Sequence, residues 1–224
     1  MPGIKSLRRI QGGAESTAGT SVPATWIWRG TGVGKDLSEV TFVEEDIGLL
    51  SDALRTYKAK TGGEVAFDGV ASFEQLGYLF QSGIYATAPT TDASAAKVWT
   101  WTHQTASTDP IATTDLQTYT LEFGDNQQAE YMAYCFTREY KLSGNVGEAL
   151  MVTATMEGRT VGTTDFTPST DVVIQDVESI LFTNGTLYID SSTSSSDIGT
   201  TQVSQTLFNA DLSHTTGWRG YPAA

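Results

Sequence analysis

Two stretches of the chain alternate apolar and polar side chains with a period of two. In residues 118–123 (TYTLEF), Tyr119, Leu121 and Phe123 share one face, leaving Thr118, Thr120 and Glu122 on the other. In residues 131–142 (YMAYCFTREYKL), Met132, Tyr134, Phe136, Tyr140 and Leu142 share a face interrupted at Arg138, opposite Ala133, Cys135, Thr137, Glu139 and Lys141. One apolar and one solvated face is the pattern of an antiparallel sheet. SGNVG at 143–147 turns the chain into residues 149–157, which predicts a long hairpin. Shorter apolar runs predict strands at 22–28, with Pro23 near the start where a missing donor is tolerated, and at 39–43, 97–103, 180–182, 186–189 and 200–212.

Helical periodicity is scarce. Residues 72–82 (SFEQLGYLFQS) predict the principal helix. Ser72 and Gln75 form a capping-box pair, Phe73, Leu76, Leu79 and Phe80 make one apolar stripe, and Gly83 stands where a left-handed stop belongs. The single stripe predicts a helix lying flat on a sheet. Residues 46–57 are ambiguous: Ile47, Leu50, Leu54 and Tyr57 are spaced for a short helix, Gly48 and Gly62–Gly63 oppose one, and an extended loop is the alternative. The polar, Gly-containing residues 1–21 read as an arm that orders on a partner, residues 30–36 (GTGVGKD) as a loop, and the SSTSSS run at 191–196 as a loop tip. Strands joined by turns, with one helix, predict a mainly β fold. Two antiparallel sheets pack as a sandwich or barrel, with a flanking helix and long extended loops. The domain covers 22–224.

Composition narrows the function. The chain has 26 acidic and 13 basic residues among 224, a formal net charge of −13. That balance opposes wrapping nucleic acid or docking on an anionic membrane, both of which need clustered Lys and Arg. Acids are concentrated after residue 60, so a locally basic N-terminal quarter precedes a strongly acidic remainder. One cysteine, Cys135, excludes an intrachain disulfide framework. No apolar run reaches the length of a membrane span, and the basic start lacks the apolar stretch of a secretory signal.

Candidate chemistry is thin. GTGVGK at 30–35 resembles a phosphate-binding loop, but Arg29 stands where its first Gly belongs and Asp36 where its Ser or Thr belongs. A carboxylate there repels phosphate. His103 and His214 lack metal or triad spacing, and Cys135 has no nearby His in sequence. Glu44, Glu45 and Asp46 are consecutive rather than spaced for calcium. Trp99 and Trp101 share a strand face, as core, as interface or as a sugar-stacking pair. Asn184–Gly185–Thr186 reads as a turn. No catalytic constellation or cofactor site emerges, and the expectation is a binding or structural module rather than an enzyme.

Three blocks in order resemble the tail tube (major tail) proteins of long-tailed bacteriophages. They are VPATWIWRGTG through FDGVASFEQLGYLFQSGI, then YTLEFGDNQQAEYMAYCFTREYKLSGNVGEALMVTATMEGRTV, then VESILFTNGTLYIDSS with TQVSQTLFNADLSHTTG. The resemblance implies subunits in rings, usually of six, stacked into a hollow tube in the virion tail. Before assembly the subunit would reside in the host cytoplasm. Such a tube holds a tape-measure protein, joins tail terminator and distal tail proteins, and conducts DNA at ejection without binding it. It implies no catalytic residues, and residues 31–70 would form a long inter-ring loop.

On this reading strand alternation directs Glu122, Glu139, Glu157, Thr120 and Thr137 to the channel, where acids repel the DNA backbone. Arg29, Lys35, Asp36, Glu44, Glu45, Asp46 and Arg55 are the expected ring–ring contacts. The competing class is a carbohydrate-binding β-sandwich on a virion or cell surface, using exposed Trp and Tyr.

Overall fold

The computed structural model describes residues 4–48, 53–94, 97–101, 116–188, 202–203 and 207–220. The predicted strand 97–103 lies partly outside them, as do Leu50, His103 and the 191–196 loop tip. The strands, in chain order, begin with β1 (Arg9–Ala14), β2 (Trp26–Ile27), β3 (Thr31–Asp36), β4 (Glu39–Glu44), β5 (Ala53–Lys60) and β6 (Gly63–Val70). Helix α1 (Phe73–Gly83) follows, then β7 (Thr90–Thr91), β8 (Lys97–Val98), β9 (Tyr119–Gly124), β10 (Ala129–Asn145), β11 (Met151–Gly158) and β12 (Thr160–Thr164). The last are β13 (Leu187–Tyr188), β14 (Gln202–Val203) and β15 (Asn209–Thr215).

The fold is mainly β and antiparallel, and it turns on β10. The first half of this 17-residue strand pairs with β9 and β12, and the second half with β11 and β15. One strand therefore serves two sheets. Sheet A runs β2-β1-β9-β10-β12, and sheet B runs β15-β10-β11-β6-β3. The crossover occurs where the register shifts, between Met132 and Cys135 against β9 and between Thr137 and Glu139 against β11. Tyr134, within the first of these shifts, has φ +60°, and such bulges bend a strand.

That bend breaks the simple alternation expected for β10. Met132, Cys135, Phe136 and Thr137 are all buried, and Tyr134 is only half-buried. The core between the sheets collects Ile10, Trp26, Trp28, Val65, Phe67, Tyr119, Leu121, Met132, Val152 and Met156. Trp26 stacks on Tyr78 of α1 with ring centroids 4.3 Å apart, and Tyr119 meets both rings edge-on.

The helix forms where expected, and Ser72 caps it by accepting from the Gln75 amide. Its buried face differs from the apolar stripe. Leu76 and Leu79 are buried, but Phe73 is 63 % exposed, and Gln75, Ser82 and Gly83 point inward. Gly83 is not a left-handed stop; its Cα lies against Thr137 and Thr216, where a side chain would crowd. The Gln75 side chain donates to the Ile27 carbonyl instead of closing the capping box.

Two further expectations are corrected and one ambiguity is resolved. The expected arm 1–21 is not free over its described residues 4–21, because β1 is an inner strand between β2 and β9, with Ile10, Gln11, Gly12 and Gly13 buried. Loop 30–36 is strand β3, paired along its length with β6. Its glycines serve contact: a Cβ on Gly32 would overlap Ile10, and one on Gly34 would overlap the Phe123 ring, so their absence lets β3 close onto sheet A. Of the helical and extended alternatives for 46–57, residues 53–57 take the extended one as part of β5, which pairs with β4 from Glu39↔Lys60 to Glu44↔Ala53, and residues 49–52 lie outside the described residues. Thr41, Phe42, Val43, Arg55, Thr56 and Tyr57 suit a strand better than a helix, and cross-strand pairing overrides the apolar spacing.

Candidate functional site

Two surfaces stand out, one a ribbon inserted between two strands of sheet B and the other a face of sheet B itself. The first is the β4–β5 ribbon, inserted between β3 and β6. Among the described residues the two strands pair only with each other, as a separate sheet. Val40, Phe42, Ile47 and Tyr57 on it are exposed, Phe42 to 65 %. An isolated two-stranded ribbon is marginal in water, and it buries none of these four side chains. Of the expected inter-ring segment 31–70, then, the ends are sheet strands and only the middle is free of the body.

The structure brings part of the expected contact set to this ribbon. Glu45 and Arg55 form an ion pair across its outer end, and Glu44 and Asp46 are exposed beside them. Asp36 and Lys35 lie at its base: the Asp36 carboxylate accepts from the Ser38 amide at 2.8 Å, and Lys35 pairs with Glu64 at 3.4 Å. Arg29 is elsewhere, donating to the Gln175 carbonyl at 3.0 Å.

The second surface is the outer face of sheet B, which lines much of a concave groove of about 1340 Å³. Strand register aligns two rows across five strands. One is Thr31, Asp68, Thr153, Lys141 and Ser213; the other is Val33, Ala66, Thr155, Glu139 and Thr215. Most of these side chains are small or hydroxylated, Asp68, Glu139 and Lys141 are charged, and no aromatic ring stands in either row. The charges are largely paired. Arg138 bridges Glu157 at 2.7 Å and Glu139 at 2.9 Å, and those two carboxylates hold its guanidinium well above its ordinary pKa. Lys141 meets Asp211 at 3.3 Å.

The expected channel set is divided. Glu139 and Glu157 lie on the outer face of sheet B. Thr137 is fully buried beneath α1, its hydroxyl 2.6 Å from that of Ser82. Thr120 and Glu122 do face away from the core of sheet A, yet both are buried, because the chain's own segments around residues 22 and 167 cover them. The alternation rule is obeyed on β9; the covering segments could not be seen in it. These three residues cannot line a channel in this fold. Sequence reasoning also missed Glu15, a buried carboxylate whose only signal was an acid within a polar run.

The remaining candidates are structural. The Cys135 thiol is fully buried, donates to the Met132 carbonyl at 3.0 Å, and is pushed well above its usual pKa by burial and then by the nearby Glu15 charge. Such a thiol is a poor nucleophile. His214 packs against Tyr140 with centroids 5.2 Å apart. Trp101 packs edge-on against Phe80, while Trp99 is half-exposed, so the two do not form one sugar-stacking platform. Asn184 ends a single 3-10 turn, closed by the Gly185 amide on the Phe182 carbonyl. Among the described residues there is no cluster of acids, His or Cys able to hold a metal, and no helix long and apolar enough to cross a membrane.

No protein-family model matches this chain, and no curated protein matches it.

Proposed function

We propose that this protein is a non-enzymatic structural subunit of a phage-type tail tube, self-assembling into stacked rings around a channel that DNA traverses without specific binding. The observation that carries the reading is the β4–β5 ribbon, which stands apart from the body with Val40, Phe42, Ile47 and Tyr57 exposed. Exposed apolar side chains on an unsupported ribbon favour burial against another chain. The edges of sheet B add to this. Among the described residues β15 pairs only with β10, leaving its other edge open beside exposed Phe208 and Leu212. An open edge of this kind lends itself to pairing with a neighbouring copy in a ring.

The channel wall in this reading is the outer face of sheet B, with Thr153, Thr155, Glu139 and Glu157, and without Thr120, Glu122 or Thr137. Its hydroxyls and small side chains offer little grip to a sliding polyanion, and its carboxylates exceed its cations. The ring–ring contacts fall to the ribbon with Glu44, Glu45, Asp46 and Arg55. A tape-measure protein would occupy the lumen, and terminator and distal tail proteins the two ends. Among the described residues the two outer rows carry no aromatic ring, and Phe67, Phe123 and Tyr140 in the groove's lining are buried, which disfavours the carbohydrate-binding alternative. Electron microscopy of the purified chain, with light scattering, tests the reading. Rings or tubes are expected, and a strictly monomeric protein up to high concentration would sink it.

A further inference from the structure

The outer face of sheet A holds two carboxylates in an unusual setting. Glu15 and Glu122 are each about 94 % buried, and among the described residues neither has an ion-pair partner. Neutral donors satisfy both. Glu15 Oε2 accepts from the Gly19 amide and the Thr118 hydroxyl, each at 2.7 Å. Its Oε1 accepts from the Thr120 hydroxyl and the Tyr134 amide, each at 2.9 Å. Glu122 accepts from the Gln11 side-chain amide at 2.6 Å, the Thr167 amide at 2.7 Å and the Thr167 hydroxyl at 2.6 Å.

These bonds tie two segments down over the sheet. One spans 16–24, where the Val22 amide also donates to the Thr120 hydroxyl at 3.1 Å. The other spans 165–170. The segments are tied to each other as well, because the Ala24 amide donates to the Thr167 hydroxyl at 3.0 Å. Beneath them Tyr134 keeps a left-handed backbone, a strained conformation for a non-glycine residue, with its amide held by Glu15. The fastening is mostly polar. Within the straps only Ala24 is buried; Val22, Phe166 and Thr167 are half-buried, Phe166 under the Arg9 guanidinium, and Gly19 and Pro23 are exposed.

We propose that Glu15 and Glu122 are the locking groups of a two-strap latch, in which segments 16–24 and 165–170 open and close as one unit over the outer face of sheet A while the core between the sheets stays intact. A buried carboxylate without a cation is tolerated only while its full donor set is present. Losing one strap therefore removes donors from one carboxylate and, through Ala24 and Thr167, loosens the other strap. Opening hydrates both carboxylates and exposes little apolar surface, so it costs far less than unfolding the core. The latch belongs to the single chain and does not depend on assembly.

Amide hydrogen exchange of the full chain, with Glu15→Gln and Glu122→Gln, tests the latch. Either amide side chain turns one acceptor oxygen into a donor facing other donors. Each single variant is expected to speed exchange at Gly19, Val22, Ala24 and Thr167 by at least about tenfold, with β6, β11 and α1 unchanged. Should a Gln variant fail to fold, Thr118→Val, which deletes one hydroxyl donor to Glu15 and touches neither strap, gives the same readout. Unchanged strap amides, loosening confined to the strap of the altered carboxylate, or equal loss of protection in β6, β11 and α1 would each overturn the proposal.

Discussion

The hydroxyls of Ser82 in α1 and Thr137 in β10 are 2.6 Å apart and buried, so the helix is fastened to the strand by a polar contact inside an otherwise apolar interface. The Ser82 hydroxyl also lies 2.9 Å from the Tyr78 carbonyl, its natural acceptor, which leaves Thr137 to donate to Ser82. Thr137→Val removes that one bond while keeping shape. The expected loss is about 1 kcal/mol, read from urea unfolding. A residue facing a channel would show no loss.

Gly34 carries the closure of β3 onto sheet A, because its Cα faces the ring of Phe123. Gly34→Val should cost about 1–3 kcal/mol or more by overpacking, with a lowered Tm in calorimetry. Lys35→Ala, one residue on and pairing with Glu64 only at the surface, should stay within about 0.5 kcal/mol of wild type. Equal effects at the two positions would contradict this account of β3.

The ribbon separates folding from association. Replacing residues 39–60 with a short Gly-Ser connection should leave the near-ultraviolet circular dichroism of the Trp26–Tyr78–Tyr119 cluster unchanged. The same variant should remain monomeric in light scattering. The milder Phe42→Ser should raise the concentration needed for assembly. A shortened chain that assembles normally would remove the ribbon from the interface.

Burial pushes the Tyr119 phenol well above its usual pKa, with a smaller contribution from Tyr78, and raises Tyr78 and Tyr140 chiefly in the same way. The unfolded chain releases these protons near about pH 10, while the folded chain retains them. Stability is therefore unaffected by these groups below that value and falls as pH rises above it. Denaturant midpoints between pH 8 and 11 should show this decline, and Tyr119→Phe should flatten it.

The sequence by itself determined the fold class, the hairpin of β10 and β11, and the position of α1. These rest on local rules: period-two alternation, a Gly-containing turn, and a Ser72 cap before an apolar stripe. Alternation on β9 also separated Tyr119, Leu121 and Phe123 from Thr118, Thr120 and Glu122 correctly. Tertiary structure alone decided what covers each face. Thr120 and Glu122 lie under segments distant in sequence, and no local pattern encodes such a contact. Thr137 went under α1 because it lies between the two register shifts of β10, where strict alternation fails; after the second shift Glu139 and Lys141 face outward and Tyr140 and Leu142 join the core. The same holds for GTGVGK, whose glycines suggest a loop until β6, Ile10 and Phe123 supply the surfaces they fit. For residues 53–57, pairing with β4 outweighed the helical spacing, because cross-strand partners distant in sequence are invisible to a local period.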